Sequence, residues 1–443
     1  MARLLIVDDE LPILESIGMF MAEKGHGVRT ASNLNQAMVA FEAHHPELVI
    51  LDIRLPDGCG LETLKWMKAV DPLVKVIMIT AFQDMETTIE AMKCGAYDYL
   101  HKPLDAHELD RAVTGALSSV QVSADACDGG PSCGTDEIVG RSRAMKDIFK
   151  MIGILCQNRA TALITGETGT GKELVARRIH LSSGSCHLPF VVFDCSAVVD
   201  TLMESELFGH EKGAFTGAVS QRRGKIEQAG EGTLFLDEIG ELPLKLQGKL
   251  LGFLERKQYM RVGGEELHDA RCRVIAATNR DLETMVREKR FRDDLYFRLR
   301  VVNLHLPPLK DRLSDLDALV PHFLEKASLD LAGRVPVMQK GAMAHLRAHH
   351  WPGNVRELEN LILSAAIRSR GDVILRETLV ALLSAVDGEE REDQAEFSLA
   401  GAESRHIERV LKMEKWNRTR AAKVLMISLP TLRKKIRKYK IAP

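Results

Sequence analysis

Short, mainly apolar runs recur through the first hundred residues, and each ends on polar residues. Arg3-Leu4-Leu5-Ile6-Val7 runs into Asp8-Asp9, and Glu47-Leu48-Val49-Ile50-Leu51 into Asp52. Val74 to Ile79 runs into Thr80-Ala81, and Tyr97 to Leu100 into His101-Lys102-Pro103. Runs of this length without alternation predict strands buried on both faces. Helical spacing lies between them, as from Leu11 to Lys24 and from Met85 to Cys94. Strands alternating with helices predict a doubly wound parallel sheet over residues 1–120. A second α/β set follows over residues 137–385, with a short apolar strand from Ala162 leading into a glycine-punctuated loop, a strand at Pro189–Cys195 and an apolar run from Gly232 that ends in Asp237-Glu238. Residues 401–443 carry helical patterns alone. The Ser-, Gly- and Asp-rich stretch with Pro131 predicts a linker at 121–136, and the acidic stretch around Glu389-Glu390-Arg391-Glu392-Asp393 a second at 386–400. The expected fold class is therefore multidomain α/β with an all-α C-terminal domain.

A length of 443 residues agrees with about three domains. The 45% apolar and 28% charged content is that of a soluble globular protein. The net charge of −2 conceals an asymmetry: Gly401 to Pro443 holds 13 Lys/Arg and 3 Asp/Glu, a local net of +10. That tail is a candidate nucleic-acid contact. No apolar run approaches the length of a membrane span, and the N-terminus reaches Asp8-Asp9-Glu10 without a secretory pattern, so a cytoplasmic protein is expected. The eight cysteines form no C-x-x-C pair and imply reduced thiols; Cys186-His187 is a possible metal pair, but four ligands at zinc spacing are missing.

The densest chemistry lies in Gly166-Glu167-Thr168-Gly169-Thr170-Gly171-Lys172-Glu173, between a strand and a helix start. Its spacing fits a phosphate-binding loop. The glycines let backbone N–H groups converge on phosphate oxygens at the helix N-terminus, and Lys172 adds a mobile charge for the β- and γ-phosphates. Glu173 stands where such loops carry the Ser or Thr that ligates Mg²⁺, so the metal must be held elsewhere. Asp237, at the end of the apolar run 233–236, can hold Mg²⁺, and Glu238 can orient an attacking water. The alternative, a Gly/Thr-rich turn before an ordinary helix, does not account for the paired acids. ATP with Mg²⁺ is the expected cofactor, and hydrolysis the expected reaction.

In the first domain, parallel strands place Asp8, Asp9, Asp52, Thr80 and Lys102 at one end of the sheet. Three carboxylates so close repel unless a cation lies among them, and an all-oxygen site suits Mg²⁺. In the tail, Glu403 to Met413 has helical periodicity, and Asn417 and Ser428 can cap two further short helices, the last carrying Arg433, Lys434, Lys435, Arg437 and Lys438. This pattern predicts a helix-turn-helix, with Ser428, Thr431 and Arg433 nearest the bases and Lys434, Arg437 and Lys438 on phosphates.

These motifs resemble those of the NtrC-type sigma-54-dependent response regulators over nearly the whole chain. Gly213-Ala214-Phe215-Thr216-Gly217-Ala218 matches the loop by which that family touches the sigma factor, and Gly166 to Glu173, Gly232 to Pro243, Ala276 to Leu282, Phe291 to Leu299 and Trp351 to Leu358 match as well. The resemblance implies a flavodoxin-like receiver domain, an AAA+ ATPase with a helical lid, and a Fis-like DNA-binding domain. It implies that Asp52 is the phosphoryl acceptor, that Asp8, Asp9, Asp52 and the Arg54 carbonyl ligate Mg²⁺, that Thr80 and Lys102 contact the phosphoryl group, and that Tyr99 is a switch. It further implies that Asn279 senses the γ-phosphate, that Arg292 and Arg298 are fingers reaching a neighbouring subunit's nucleotide, and that Arg356 is a second sensor at the lid. Two departures stand out. The family often has Asn at the position of Asp194, where it holds the catalytic glutamate at rest, and Gly at the position of Met426 in the helix-turn-helix turn.

The expected protein is an activator phosphorylated at Asp52 by a sensor histidine kinase. Its ATPase ring would remodel the sigma-54 polymerase holoenzyme, and its tail would bind enhancer DNA as a dimer. The alternatives are an AAA+ unfoldase, against which the 213–218 loop speaks, and a regulator that recruits polymerase without hydrolysis, against which Lys172, Asp237, Glu238 and Arg292 speak.

Overall fold

The structure is a computed structural model. It describes residues 2–81, 85–118, 138–215, 218–330, 335–369, 373–383, 399–414 and 416–439. Both expected linkers fall outside these residues, apart from Leu399 and Ala400 of the second, which open a helix.

The N-terminal region alternates strands and helices: β1 (Arg3–Val7), α1 (Leu11–Glu23), β2 (Gly27–Ala31), α2 (Leu34–His44), β3 (Leu48–Asp52), α3 (Gly60–Val70), β4 (Lys75–Thr80), α4 (Met85–Lys93), β5 (Asp98–His101) and α5 (Ala106–Ser118). The sheet order is β2-β1-β3-β4-β5, all parallel. The apolar runs read as doubly buried strands because each face has its own layer. Leu4, Ile6, Leu48 and Ile50 pack with Ile17 of α1 and Val113 of α5. Leu5, Val7, Val49 and Leu51 pack with Phe41 of α2 and Met67 of α3. Burying each such side chain contributes about 1.5–3 kcal/mol.

The second α/β region opens with α6 (Arg143–Cys156) and runs through β6 (Ala162–Thr165), α7 (Lys172–Leu181), β7 (Phe190–Asp194), α8 (Asp200–Phe208), α9 (Lys225–Ala229), β8 (Thr233–Asp237) and α10 (Leu244–Arg256). A hairpin, β9 (Gln258–Met260) with β10 (Leu267–Asp269), precedes β11 (Arg273–Thr278), α11 (Leu282–Arg287), α12 (Asp293–Leu299) and β12 (Val302–His305). The order β12-β6-β11-β8-β7 is parallel throughout, with β6 and β8 on either side of β11. In register, Thr165 lies beside Thr278 and His305, and Asp237 beside Asp194, so the functional strand ends share one edge. The N-terminus of α6 is fixed from afar: buried Asp315 accepts from the N–H groups of Arg141 and Ser142 at 2.6 Å each and from Ser142 Oγ at 2.8 Å.

The remaining helices include α13 (Leu316–Asp330), α14 (Ala342–Ala348) and α15 (Asn354–Arg368). The C-terminal trio is α16 (Leu399–Met413), α17 (Arg418–Val424) and α18 (Leu429–Lys438). Ile407, Val410, Leu411, Ala421, Ala422 and Leu432 form the trio's own core.

Candidate functional site

At the carboxyl end of the first sheet, Asp8 and Asp52 are buried and Asp9 is exposed, and the carboxylates of the three lie within 4.8 Å of one another. Lys102 Nζ reaches Asp52 at 2.6 Å, Asp8 at 2.9 Å and Glu10 at 3.0 Å. Burial alone pulls the Lys102 ammonium down, but the hydrogen bonds to Asp52, Asp8 and Glu10 together outweigh it and hold its pKa above that of an ordinary lysine. Burial raises the Asp8 pKa more than Lys102 and the Glu10 amide lower it. A buried carboxylate disfavoured in its charged form, beside two further acids, suits a divalent cation with oxygen ligands. Thr80 closes β4 as a buried residue, and the Arg54 N–H donates to Asp52 at 3.1 Å. Tyr99 is buried, with its ring edge-on to His101 at 5.2 Å.

The second sheet gathers the nucleotide-type residues in the same way. Gly169 takes φ +78°, and a Cβ there would lie 2.3 Å from the Gly353 carbonyl oxygen, so the loop admits only glycine at this point. Lys172 is 7% exposed; its ammonium rests on the carbonyl oxygens of Gly166 (3.0 Å) and Glu167 (3.4 Å) and lies 3.5 Å from Glu238 Oε1. Glu173 turns along α7 to Arg177 at 2.9 Å. Burial raises the Asp237 pKa, and the neighbouring Glu238 charge adds to it against the Glu238 N–H. Glu238 itself sits at φ 47°, ψ 51°, a left-handed conformation costly for a residue with a Cβ. That turn directs its carboxylate to the Asn279 N–H at 3.0 Å, while Asn279 Nδ2 donates to Thr168 Oγ1 at 2.9 Å. Asp194 accepts instead from Ser196 N at 2.8 Å and Ser196 Oγ at 2.7 Å. A pocket of ≈ 340 Å³ opens beside Gly166, Glu167 and Asn279.

Residues that sequence reasoning passed over complete this crevice. Asn354 is fully buried at φ 55°; its amide nitrogen donates to Glu167 Oε2 at 3.1 Å and to the Thr168 carbonyl at 3.0 Å. The Val355 and Arg356 N–H groups both donate to the Gly169 carbonyl. The first turn of α15 thus grips the loop, and exposed Arg356 lies beside it. The motif from Trp351 to Leu358 carried the signal for this grip, but only its arginine had been assigned a role. Arg292 and Arg298 are exposed on or beside α12: Arg292 pairs with Asp294 at 2.8 Å and Arg298 bonds the Leu254 carbonyl at 3.3 Å. The structure does not bring either to this chain's own phosphate loop through any hydrogen bond among the described residues.

The 213–218 loop is closed at its base by Gly213 N–H to the Ala218 carbonyl at 2.9 Å, and Phe215 lies edge-on to His210 at 5.0 Å. Thr216 and Gly217 lie outside the described residues. Below the loop, Arg261 bridges Glu211 at 2.8 Å and Glu227 at 2.9 Å. In the tail, Asn417 caps α17 through the Arg420 N–H, and Ser428 caps α18 through the Thr431 N–H. Ser428, Thr431, Arg433, Lys434, Arg437 and Lys438 are all exposed, whereas Lys435 is engaged by Glu403. Met426 takes φ 52° in the turn and is 93% exposed.

Four family models cover these regions: a response regulator receiver domain over 4–114, a sigma-54 interaction domain over 138–305, an AAA+ ATPase lid domain over 310–396, and the Fis family of bacterial regulatory proteins over 398–439. The chain is 41% identical over 453 residues to the regulatory protein AtoC of Escherichia coli, covering 100% of this chain and 98% of that protein. The chain belongs to the NtrC-type sigma-54-dependent response regulators. It is also 40% identical over 374 residues to the DNA-binding transcriptional regulator NtrC of Salmonella typhimurium, covering 84% of this chain and 80% of NtrC. Among solved structures, NtrX from Brucella abortus in complex with ADP covers 99% of this chain and 100% of its own, at 30% identity and a TM-score of 0.53. An NtrC-type regulator carries an AAA+ domain that binds nucleotide and is an ATPase, and its receiver, sigma-54 interaction and Fis domains imply a phosphodonor kinase, sigma-54 polymerase and DNA as partners. Among the described residues no helix is long and apolar enough to cross a membrane.

Proposed function

We propose that phosphorylation of Asp52 switches on an ATPase ring that remodels the sigma-54 holoenzyme at promoters, while α17 and α18 hold the ring to enhancer DNA. Asp8, Asp9, Asp52 and the Arg54 carbonyl would hold Mg²⁺ at the receiver, and a phosphoaspartate would add charge and acceptor oxygens that draw on Thr80 and Lys102. Tyr99 responds to that shift. At the ATPase, the loop N–H groups and Lys172 take the phosphates, Asp237 holds Mg²⁺, Glu238 orients the attacking water, and Asn279 and Arg356 sense the nucleotide. Mg²⁺ there supplies neutralisation of the charge that develops on the phosphates. Arg292 and Arg298, exposed and without a hydrogen bond to their own loop among the described residues, serve a neighbouring subunit's nucleotide, which requires a closed ring.

The observation that supports this reading best is the gathering of Lys172, Asp237, Glu238 and Asn279 at one strand-end crevice in a chain that also keeps the whole 213–218 loop. Hydrolysis then moves Phe215 and Thr216 against sigma-54 in the closed promoter complex. Thr216→Ala should retain ATPase activity and lose open-complex formation in a purified sigma-54 transcription system. Parental transcription from that variant would exclude the loop as the contact.

A further inference from the structure

The 166–173 loop engages its two kinds of backbone group unequally. Every carbonyl from Gly166 to Gly171 already has a donor. Those of Gly166 and Glu167 receive the Lys172 ammonium, and that of Glu167 also receives Thr170 Oγ1 at 2.8 Å and the Thr170 N–H at 3.4 Å. The Thr168 carbonyl receives Asn354 Nδ2 at 3.0 Å, and the Gly169 carbonyl the Val355 and Arg356 N–H groups at 3.0 and 3.2 Å. The Thr170 carbonyl receives the Arg312 guanidinium at 3.1 Å, and that of Gly171 the Val175 N–H at 3.1 Å. The N–H groups of Gly169 and Gly171, by contrast, make no hydrogen bond among the described residues.

In a planar trans peptide the C=O and the N–H that follows it point to opposite sides. A donor that holds the Thr168 carbonyl therefore aims the Gly169 N–H away from itself, and a donor on the Thr170 carbonyl does the same for the Gly171 N–H. Both glycines have positive φ, +78° and +102°, and neither restricts its own peptide plane as a side chain would. The two holding side chains come from outside the loop. Arg312 lies in the short 3₁₀ segment Leu309–Asp315, is 3% exposed, and rests its other Nη on Met145 Sδ at 2.9 Å. Burial pulls the pKa of its guanidinium down against the Asp315 carboxylate, and its Nε has no partner among the described residues. A buried cation kept on one carbonyl and one thioether contributes little to stability by itself. Asn354 Oδ1 accepts from the Leu309 N–H at 2.7 Å, so the two side chains share one frame. We propose that Arg312 and Asn354 are positioning residues, which hold the Thr170–Gly171 and Thr168–Gly169 peptide units with their N–H groups turned to receive phosphate oxygens before a nucleotide arrives. The inference rests on the phosphate-binding role given to this loop under Proposed function. Donors oriented during folding need no ordering on binding, and affinity rises by that difference.

The test reads the two glycines separately. The chain has five Thr-Gly peptide units, Gly169 and Gly171 among them, so isotope labelling of threonine carbonyl carbons and glycine nitrogens isolates their amides by NMR on the full chain. Adding AMP-PNP with Mg²⁺ should move both amide resonances downfield. Arg312→Met should erase the Gly171 response and leave that of Gly169. Asn354→Gly, in which glycine suits φ 55°, should erase the Gly169 response and leave that of Gly171. Each variant should weaken AMP-PNP by about three- to tenfold, the worth of one hydrogen bond. Methionine follows the buried stem of Arg312 and carries no charge to desolvate. Should Asn354→Gly not fold, Asn354→Asp keeps the acceptor for Leu309 and loses the donor to Thr168. A merely structural role would not separate the two glycines: both responses retained in a variant, or both lost together, overturns the assignment of that residue. Failure of the underlying reading looks different, since AMP-PNP would then bind Lys172→Ala undiminished and leave both amides of the parent unmoved.

Discussion

Replacing Glu238 with Gln separates hydrolysis from binding, and the structure gives the sign of each effect. The carboxylate accepts from the Asn279 N–H at 3.0 Å and faces the Lys172 ammonium at 3.5 Å. Gln keeps the shape and the acceptor toward Asn279 but loses the charge that orients and polarises a water. Loss of a positioned base typically costs about 10²–10⁴ in rate, or about 2.7–5.4 kcal/mol in the barrier. The ion pair with Lys172 is worth about 5 kcal/mol of Coulomb attraction at an effective dielectric constant of 20, most of which desolvation cancels. Removing it frees Lys172 for phosphate rather than weakening the site. ATP turnover should therefore fall by at least about a hundredfold, while the Kd for ATP stays level or tightens. Steady-state phosphate release beside equilibrium binding of a fluorescent nucleotide measures both. Turnover at the parental rate, or turnover and binding lost together, would refute the water-orienting role.

Three further outcomes follow from the same geometry. Asp52→Asn should abolish Mg²⁺-dependent labelling by acetyl phosphate, and stoichiometric labelling would move the acceptor elsewhere. Met426→Gly should stabilise the α17–α18 turn by about 0.5–1 kcal/mol, because φ 52° is unfavourable for Met and its exposed side chain forfeits little; slower amide exchange in these helices checks it. Arg433→Ala should lose about 1–3 kcal/mol on the specific DNA site and relax base preference, whereas Lys438→Ala should weaken all duplexes alike and lower the salt slope by about one; equal weakening by Arg433→Ala on specific and random DNA would displace the proposed register.

The strands and their polar-tipped ends were legible because burial on both faces leaves a local mark: a mainly apolar run, such as Leu4 to Val7 or Leu48 to Leu51, then a polar residue. Caps were equally legible, since Asn417 and Ser428 act within three residues of themselves. What stayed hidden depends on residues far apart in the chain. Met85 and Ile89 have the same helical spacing whether they face their own sheet or α6, so periodicity does not distinguish the two. Asp315 reads as one more surface acid, yet it holds the start of α6 from more than 170 residues away. Asn354 carries no charge and no periodicity that would announce its grip on the loop. Glu238 was legible as an acid after a strand, but its left-handed backbone was not, since that conformation is imposed by the strand end and not by its side chain.

Asp194 gives its oxygen to Ser196, and Glu238 is held by a main-chain N–H and faces the Lys172 ammonium. A restraint made by a side chain can be deleted by one substitution; a restraint made by the N–H of residue 279 survives every replacement there except proline. On the water-orienting role proposed for Glu238, this hold on its carboxylate does not depend on which side chain residue 279 carries, proline apart. Because the side chain of that same residue bonds Thr168 in the phosphate loop, a displacement of residue 279 that frees Glu238 would strain the Thr168 bond as well, and on the proposed role of Glu238 the two contacts would be released together.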